Sequence, residues 1–280
     1  MGCWARGFFP RTLSKLKSVS NNYVIKPADK GGRVVIMSKS FYTNAINCLL
    51  DTTDYTPLIP GTNHKELVLE KVRLALVQTM KGIRKSLLIR NLKEVLRETL
   101  NQKNRLGLFY GLPKVHKSVK NPPVRPVVSQ VNHPTAPLAR FIDTLIQPTL
   151  FQKNPHLLKS THHALEVLKT WDTEGQKFMT FDVKSLYTSI PLDEGLDALR
   201  HESSLWDFDE DSVKILTELT PVVLHNNVFT FGSRNFRQLK GVAMRSPLGP
   251  TFANTFILGL DRRIMNTPGV RRCLNALTTF

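Results

Sequence analysis

An α+β fold, in one large domain or two, is the class this sequence predicts, and three observations predict it. Apolar residues recur at helical spacing through several long stretches, and short β-branched runs bounded by Gly, Pro and polar residues mark strands. The two patterns do not alternate strictly, which argues against a doubly wound parallel sheet. With 280 residues, 41% hydrophobic and 22% charged, the chain can bury a core and fits neither a disordered tail nor a collagen-like polymer. No stretch approaches the roughly 18 to 20 apolar residues that cross a bilayer, so no membrane partner is expected.

The elements follow in order. Residues 1–20 form a basic arm; residues 1–28 carry Arg6, Arg11, Lys15, Lys17 and Lys26 and no acid before Asp29. Such a segment suits an organellar transit peptide or an ordinary basic arm. The opening M-G-C lacks the Ser or Thr that myristoylation needs at position 6, where Arg6 stands. Gly31-Gly32 reads as a turn feeding a strand at Val34-Val35-Ile36. Between 64 and 100, Leu67, Val72, Leu76, Met80, Leu88, Leu92 and Val95 recur at helical spacing, and Gly82 divides the stretch into two helices.

Two short strands are predicted between 107 and 128, then amphipathic helices at 137–150 and 160–171, the second capped by Ser160 or Thr161. K-F-M-T-F-D (177–182) reads as a strand that delivers Asp182 to its C-terminal end. Pro191 with Asp193 and Glu194 starts a helix, and a further helix covers about 209–224. Residues 228–239 predict a hairpin, and a last helix spans about 251–265. Boundaries are expected near 20 and 105, giving the arm, a helical region with the D-K-G motif (21–105) and a third region (106–280).

Charge is unevenly distributed. Residues 1–150 hold 24 Lys and Arg against 8 Asp and Glu, whereas 151–280 hold 15 against 14. No acid lies between Glu98 and Asp143, a stretch with Lys103, Arg105, Lys114, Lys117, Lys120, Arg125 and Arg140. Such a run suits a polyanion, an acidic membrane surface or a solvated face. Cys3, Cys48 and Cys273, odd in number and scattered, suit neither a disulfide framework nor a zinc site and point to a reducing compartment.

Several residues are placed for nucleotidyl chemistry. A carboxylate at a strand end can hold Mg²⁺, a hard cation that prefers oxygen ligands, and Asp182 with the Val183 carbonyl would do so. Tyr187, five residues on, would lie close enough to block a ribose 2′-hydroxyl; its alternative is a core tyrosine. Lys114 and Arg125 suit a triphosphate, Arg with a fork of donors and Lys as a point charge. The Gly- and Pro-studded turn at 241–250 permits close backbone approach.

Five blocks, A-D-K-G-G-R-V-V-I-M (28–37), F-Y-G-L-P-K-V-H-K (109–117), P-P-V-R-P-V-V-S (122–129), F-D-V-K-S-L-Y-T-S-I-P (181–191) and G-V-A-M-R-S-P-L-G-P (241–250), occur in one order. Together they resemble the reverse transcriptase of Penelope-like retroelements. The resemblance implies a right-hand polymerase with fingers and a partial palm, the palm sheet antiparallel and incomplete. It implies Mg²⁺ as cofactor, an RNA and DNA template-primer and deoxynucleoside triphosphates as partners, and residence in the nucleus. By position, Asp182 matches the first catalytic carboxylate and metal ligand, Val183 the neighbouring carbonyl ligand and Tyr187 the steric gate. Lys114 and Arg125 match nucleotide-binding finger positions, and Gly241, Met244, Ser246 and Pro247 match the template and nucleotide support. Asp29, Lys30 and Gly31 match a motif assigned to the fingers region.

Two departures stand out. Arg245 replaces the family's Gly, adding bulk and charge where backbone should approach substrate. The family's next block, a turn with paired aspartates, has no counterpart, nor do the thumb and endonuclease. The chain is therefore expected to be inactive as a polymerase by itself, and its alternative is a nucleic-acid-binding protein without catalysis.

Overall fold

The computed structural model describes residues 22–172 and 174–275, and the fold is α+β with a mixed five-stranded sheet. The basic arm at 1–20 lies outside the described residues. The chain divides into two compact units, one of residues 22–53 and 109–127, the other of 54–108 and 128–275.

In the first unit, β1 (Tyr23–Pro27) and β2 (Val34–Ser38) pair antiparallel, with Ile25 opposite Ile36. The connecting turn closes with the Ala28 N–H donating to the Arg33 carbonyl at 2.7 Å. Gly31 (φ +83°) and Gly32 (φ +63°) supply left-handed backbone there that a Cβ would strain. Ser38 then caps α1 (Lys39–Leu50) by accepting from the Phe41 N–H at 3.2 Å. Tyr42, Ile46 and Leu50, one every fourth residue, form its buried face.

That face meets β4 (Gly107–Pro113) at Gly111, whose N–H donates to the Tyr42 hydroxyl at 2.8 Å. A Cβ on Gly111 would fall 2.0 Å from Val124 Cγ1 and 2.7 Å from Ile46 Cδ1, so only glycine fits between the helix and β5 (Val124–Ser129). Lys26 lays its ammonium over the rings of Tyr42 and Tyr110, 5.8 and 5.3 Å from their centroids.

The second unit begins with β3 (Tyr55–Pro57), α2 (His64–Met80) and α3 (Ser86–Asn101), two helices separated around Gly82 as the spacing predicts. After β5 come α4 (Ala136–Lys153), α5 (Thr161–Lys169) with Ser160 as its cap, the short α6 (Leu186–Ser189) and α7 (Leu192–Leu205). Next are α8 (Glu210–His225), the hairpin β6 (Val228–Phe231) and β7 (Arg234–Gln238), and α9 (Gly249–Met265).

The sheet order is β3-β7-β6-β4-β5. β3 and β6 run antiparallel to β7, but β4 runs parallel to β6, Gly107 opposite Phe229. The sheet is thus mixed, not antiparallel as expected, because β4 reaches β6 only after helical crossovers, whereas β6 and β7 share a tight turn. Phe229 stacks on Phe236 and meets the Tyr55 ring edge to face, and burial pushes the Tyr55 hydroxyl up to about 12.

The core lies among the helices. Val68, Val72 and Leu76 of α2, Leu92 of α3, Leu138, Ile142 and Ile146 of α4, Ile215 and Leu219 of α8, and Phe252 and Leu258 of α9 are buried together. α3 has no side-chain cap of its own. Instead, Asp211 in the first turn of α8 accepts the N–H groups of Arg84 and Lys85, just before α3, at 3.0 and 2.7 Å, which ties the two helix starts together. Glu202 of α7, almost wholly buried, pairs with Arg262 of α9. No helix among the described residues is long and apolar enough to cross a membrane.

His133 is fully buried, its Nδ1 2.7 Å from the Thr135 hydroxyl. Burial pushes its pKa down to about 4, a backbone interaction at Val228 opposing the shift without aligning well enough to satisfy Nε2. Between pH 6.5 and 4 the unfolded chain binds this proton and the folded one does not, so stability falls as pH drops through that window. The loss expected is up to about 3 kcal/mol. Denaturant unfolding at pH 7, 5.5 and 4.5 should show it, and H133Q should flatten the slope.

Candidate nucleic-acid and nucleotide sites

The predicted strand at 177–182 is absent. The stretch is irregular, and Phe178 (64%), Met179 (78%) and Phe181 (75%) are exposed. Its β-prone composition finds no partner strand, and a strand without a ladder leaves its main-chain groups to water and its apolar side chains unburied. Asp182 is therefore not held at a strand end; it is exposed, as is Val183 (45%).

Just beyond, the chain becomes well ordered by contact with a distant block. Ser185 adopts left-handed backbone (φ +56°) and starts α6. The Tyr187 carbonyl accepts the Val242 N–H at 2.6 Å, and the Ile190 carbonyl accepts the Gly241 N–H at 2.9 Å. Gly241 has φ +70°, and a Cβ there would lie 2.3 Å from the Tyr187 oxygen and 2.5 Å from Thr188 Cα. Two main chains meet here at a separation that only glycine permits.

The Tyr187 ring is half-buried against the helical core, beside Gly249, and burial raises its pKa, so the phenol stays neutral. Ser246 is buried and closes the turn, its N–H donating to the Ala243 carbonyl and its carbonyl accepting from Gly249 N–H at 3.0 Å. Met244 and Pro247 are half-buried. Arg245 forms a parallel bridge with Ser129 at the end of β5, and its side chain is exposed. Its φ is not positive, so the main chain there does not require the glycine that the resemblance led us to expect.

The other carboxylates nearby serve the fold. Asp261 is buried, its Oδ2 3.2 Å from His156 Nε2 and accepting from Asn275 Nδ2 at 2.8 Å. Asp209 caps α8 through the Ser212 N–H, and Asp207 pairs with Lys153, which lowers its pKa. Among the described residues no three His, Cys, Asp or Glu side chains converge as metal ligands. A Mg²⁺ pair does not fit this arrangement, because one exposed carboxylate on an irregular stretch neither gathers nor spaces two cations.

In the first unit, three basic blocks converge on Asp29. Its N–H donates to the Pro113 carbonyl at 3.0 Å, next to Lys114, and its carboxylate lies 2.7 Å from Arg125 Nε. Asp29 is 4% exposed at its side chain and Arg125 31%. The Nε contact is close but poorly aligned, an ion pair more than a hydrogen bond, and Asp29 Oδ2 is buried without a donor. Lys114 is half-buried, its N–H donating to the Pro123 carbonyl at 2.8 Å as the chain turns toward β5. Lys30 and Arg33 are exposed on the Gly31-Gly32 turn. Sequence reasoning placed Asp29 in a motif without a role; its being the only acid among the first fifty residues was the available signal.

No protein-family model matches the chain, and no curated protein matches it. Gly241→Ala should cost at least about 2 kcal/mol, because strain and a main-chain clash coincide. Gly232, also at positive φ (+60°) but with open space around its Cβ position, is the control. G232A should cost about 1 kcal/mol. Equal losses in chemical denaturation would remove the close approach as a cause.

Proposed function

We propose that this chain is a nucleic-acid-binding protein of the reverse-transcriptase type, resembling that of Penelope-like retroelements, which binds template-primer and deoxynucleoside triphosphates without polymerising by itself. The first unit serves as fingers and the second as palm, and the nucleus is the compartment this role suggests. The observation that carries the reading is the junction in the second unit. Blocks 122–129, 181–191 and 241–250, far apart in sequence, are joined there by main-chain contacts at Ser129, Tyr187 and Gly241. In the first unit, Lys30, Arg33, Lys114, Lys117, Lys120 and Arg125 supply phosphate contacts.

Binding is favoured over catalysis because the residues beside Asp182 do not make a metal site. Lys and Arg neutralise backbone phosphates and release counterions, so affinity falls steeply with salt. With about five phosphates contacted, affinity for an RNA–DNA template-primer should drop roughly 10²- to 10³-fold between 50 and 200 mM salt in fluorescence anisotropy. A salt-insensitive or undetectable interaction would remove the binding claim. In a primer-extension assay with Mg²⁺ no product is expected; DNA growth abolished by D182N would show instead that this chain is a polymerase.

A further inference from the structure

Arg125 sits on a strand whose backbone is fixed by its neighbours: Pro122 and Pro123 precede β5, Pro126 follows, and Val124, Val127 and Val128 are buried. The contact of its guanidinium with Asp29 is made by Nε, 2.7 Å from Oδ1. The side chain remains 31% exposed, and no other ion pair of Arg125 occurs among the described residues. An arginine has five donors, and this ion pair brings the Nε edge of the fork to the carboxylate without a well-aligned hydrogen bond. The edge bearing the two Nη groups is the one that matches the oxygens of a phosphate.

Asp29 is an expensive partner for a purely structural pair. Its carboxylate is almost fully buried, and Oδ2 has no donor. A buried charge kept with half of its acceptors unsatisfied does little for stability, and pairs of this kind are often replaced by apolar residues at no cost. The first unit holds eight Lys and Arg but only two acids, Asp29 and the exposed Asp51, so a carboxylate against Arg125 opposes the unit's general character.

Resting on the proposed nucleic-acid and nucleotide binding, we infer that Asp29 is a positioning residue that holds the Arg125 guanidinium by its Nε edge and presents the Nη edge to a phosphate. That phosphate belongs to a nucleoside triphosphate or to a nucleic-acid backbone, and the D-K-G turn is the device that brings the carboxylate to β5. The test measures binding of inorganic tripolyphosphate and, separately, of a single-stranded oligonucleotide to the full chain and to D29N, R125K and the double variant, with thermal unfolding of each.

R125K keeps the neutralising charge and loses the fork, and is expected to weaken one of the two ligands about tenfold; which one identifies the source of the phosphate. D29N should weaken the same ligand about fivefold to tenfold with an unchanged or raised unfolding midpoint, and the double variant should bind no worse than R125K alone. If R125K weakens binding and D29N does not, the positioning role is overturned while the binding reading stands. Unchanged binding of both ligands by R125K overturns the role of the fork and with it that of Asp29, while the binding reading stands; no binding of either ligand by the wild-type chain overturns the binding reading itself. Should D29N fail to fold, D29E keeps the charge but displaces the guanidinium; weaker phosphate binding by D29E supports the role and wild-type binding overturns it.

Discussion

The contact on which the second unit most depends is the crossing of two main chains at Gly241. Its N–H and that of Val242 bond to the carbonyls of Ile190 and Tyr187, and no side chain fits between. From this point, 187–190 leads into α7 and 241–249 leads into α9, which pack on each other and are joined by Glu202 and Arg262. Arg245 carries the same segment to the end of β5. Side-chain substitutions alter single contacts, whereas a Cβ at 241 would displace the backbone that orders all of these elements.

The first unit is organised by charge. Asp29, isolated among basic residues, joins the β1–β2 turn to β4 through its N–H and to β5 through its carboxylate. The result is a basic unit with one buried anion, Asp29, paired with Arg125. The second unit uses its acids differently: Asp209 and Asp211 hold helix starts, Asp261 is buried in hydrogen bonds, and Asp182 stands exposed. Among the described residues, no three His, Cys, Asp or Glu side chains come together as a cation cluster.

Much of the fold was legible because it rests on local signals. The Leu and Val spacing of 64–100 with Gly82, the Ser160 cap and the acidic first turns of α7 and α8 each act within a few residues. α1 went unread because Lys39–Leu50 mixes Thr and Asn into a helix whose apolar face is only Tyr42, Ile46 and Leu50. The stretch at 177–182 failed for a complementary reason: Phe and Thr content measures how well a residue suits a strand, but a strand exists only where a partner supplies its ladder. At the candidate sites, residue types were readable and pairings were not. Nothing local says that Asp29 meets Arg125 or that Gly241 meets Tyr187, since both contacts are made by chain closure over long separations.

The central claim is that nucleic acid is held by the basic blocks of the first unit. Hydrogen–deuterium exchange of the full chain, with and without an RNA–DNA hybrid at low salt, tests it most directly. Protection on binding is expected in the turn from Ala28 to Arg33 and in residues 114–125. Unchanged exchange in both segments while the hybrid is bound would contradict the claim.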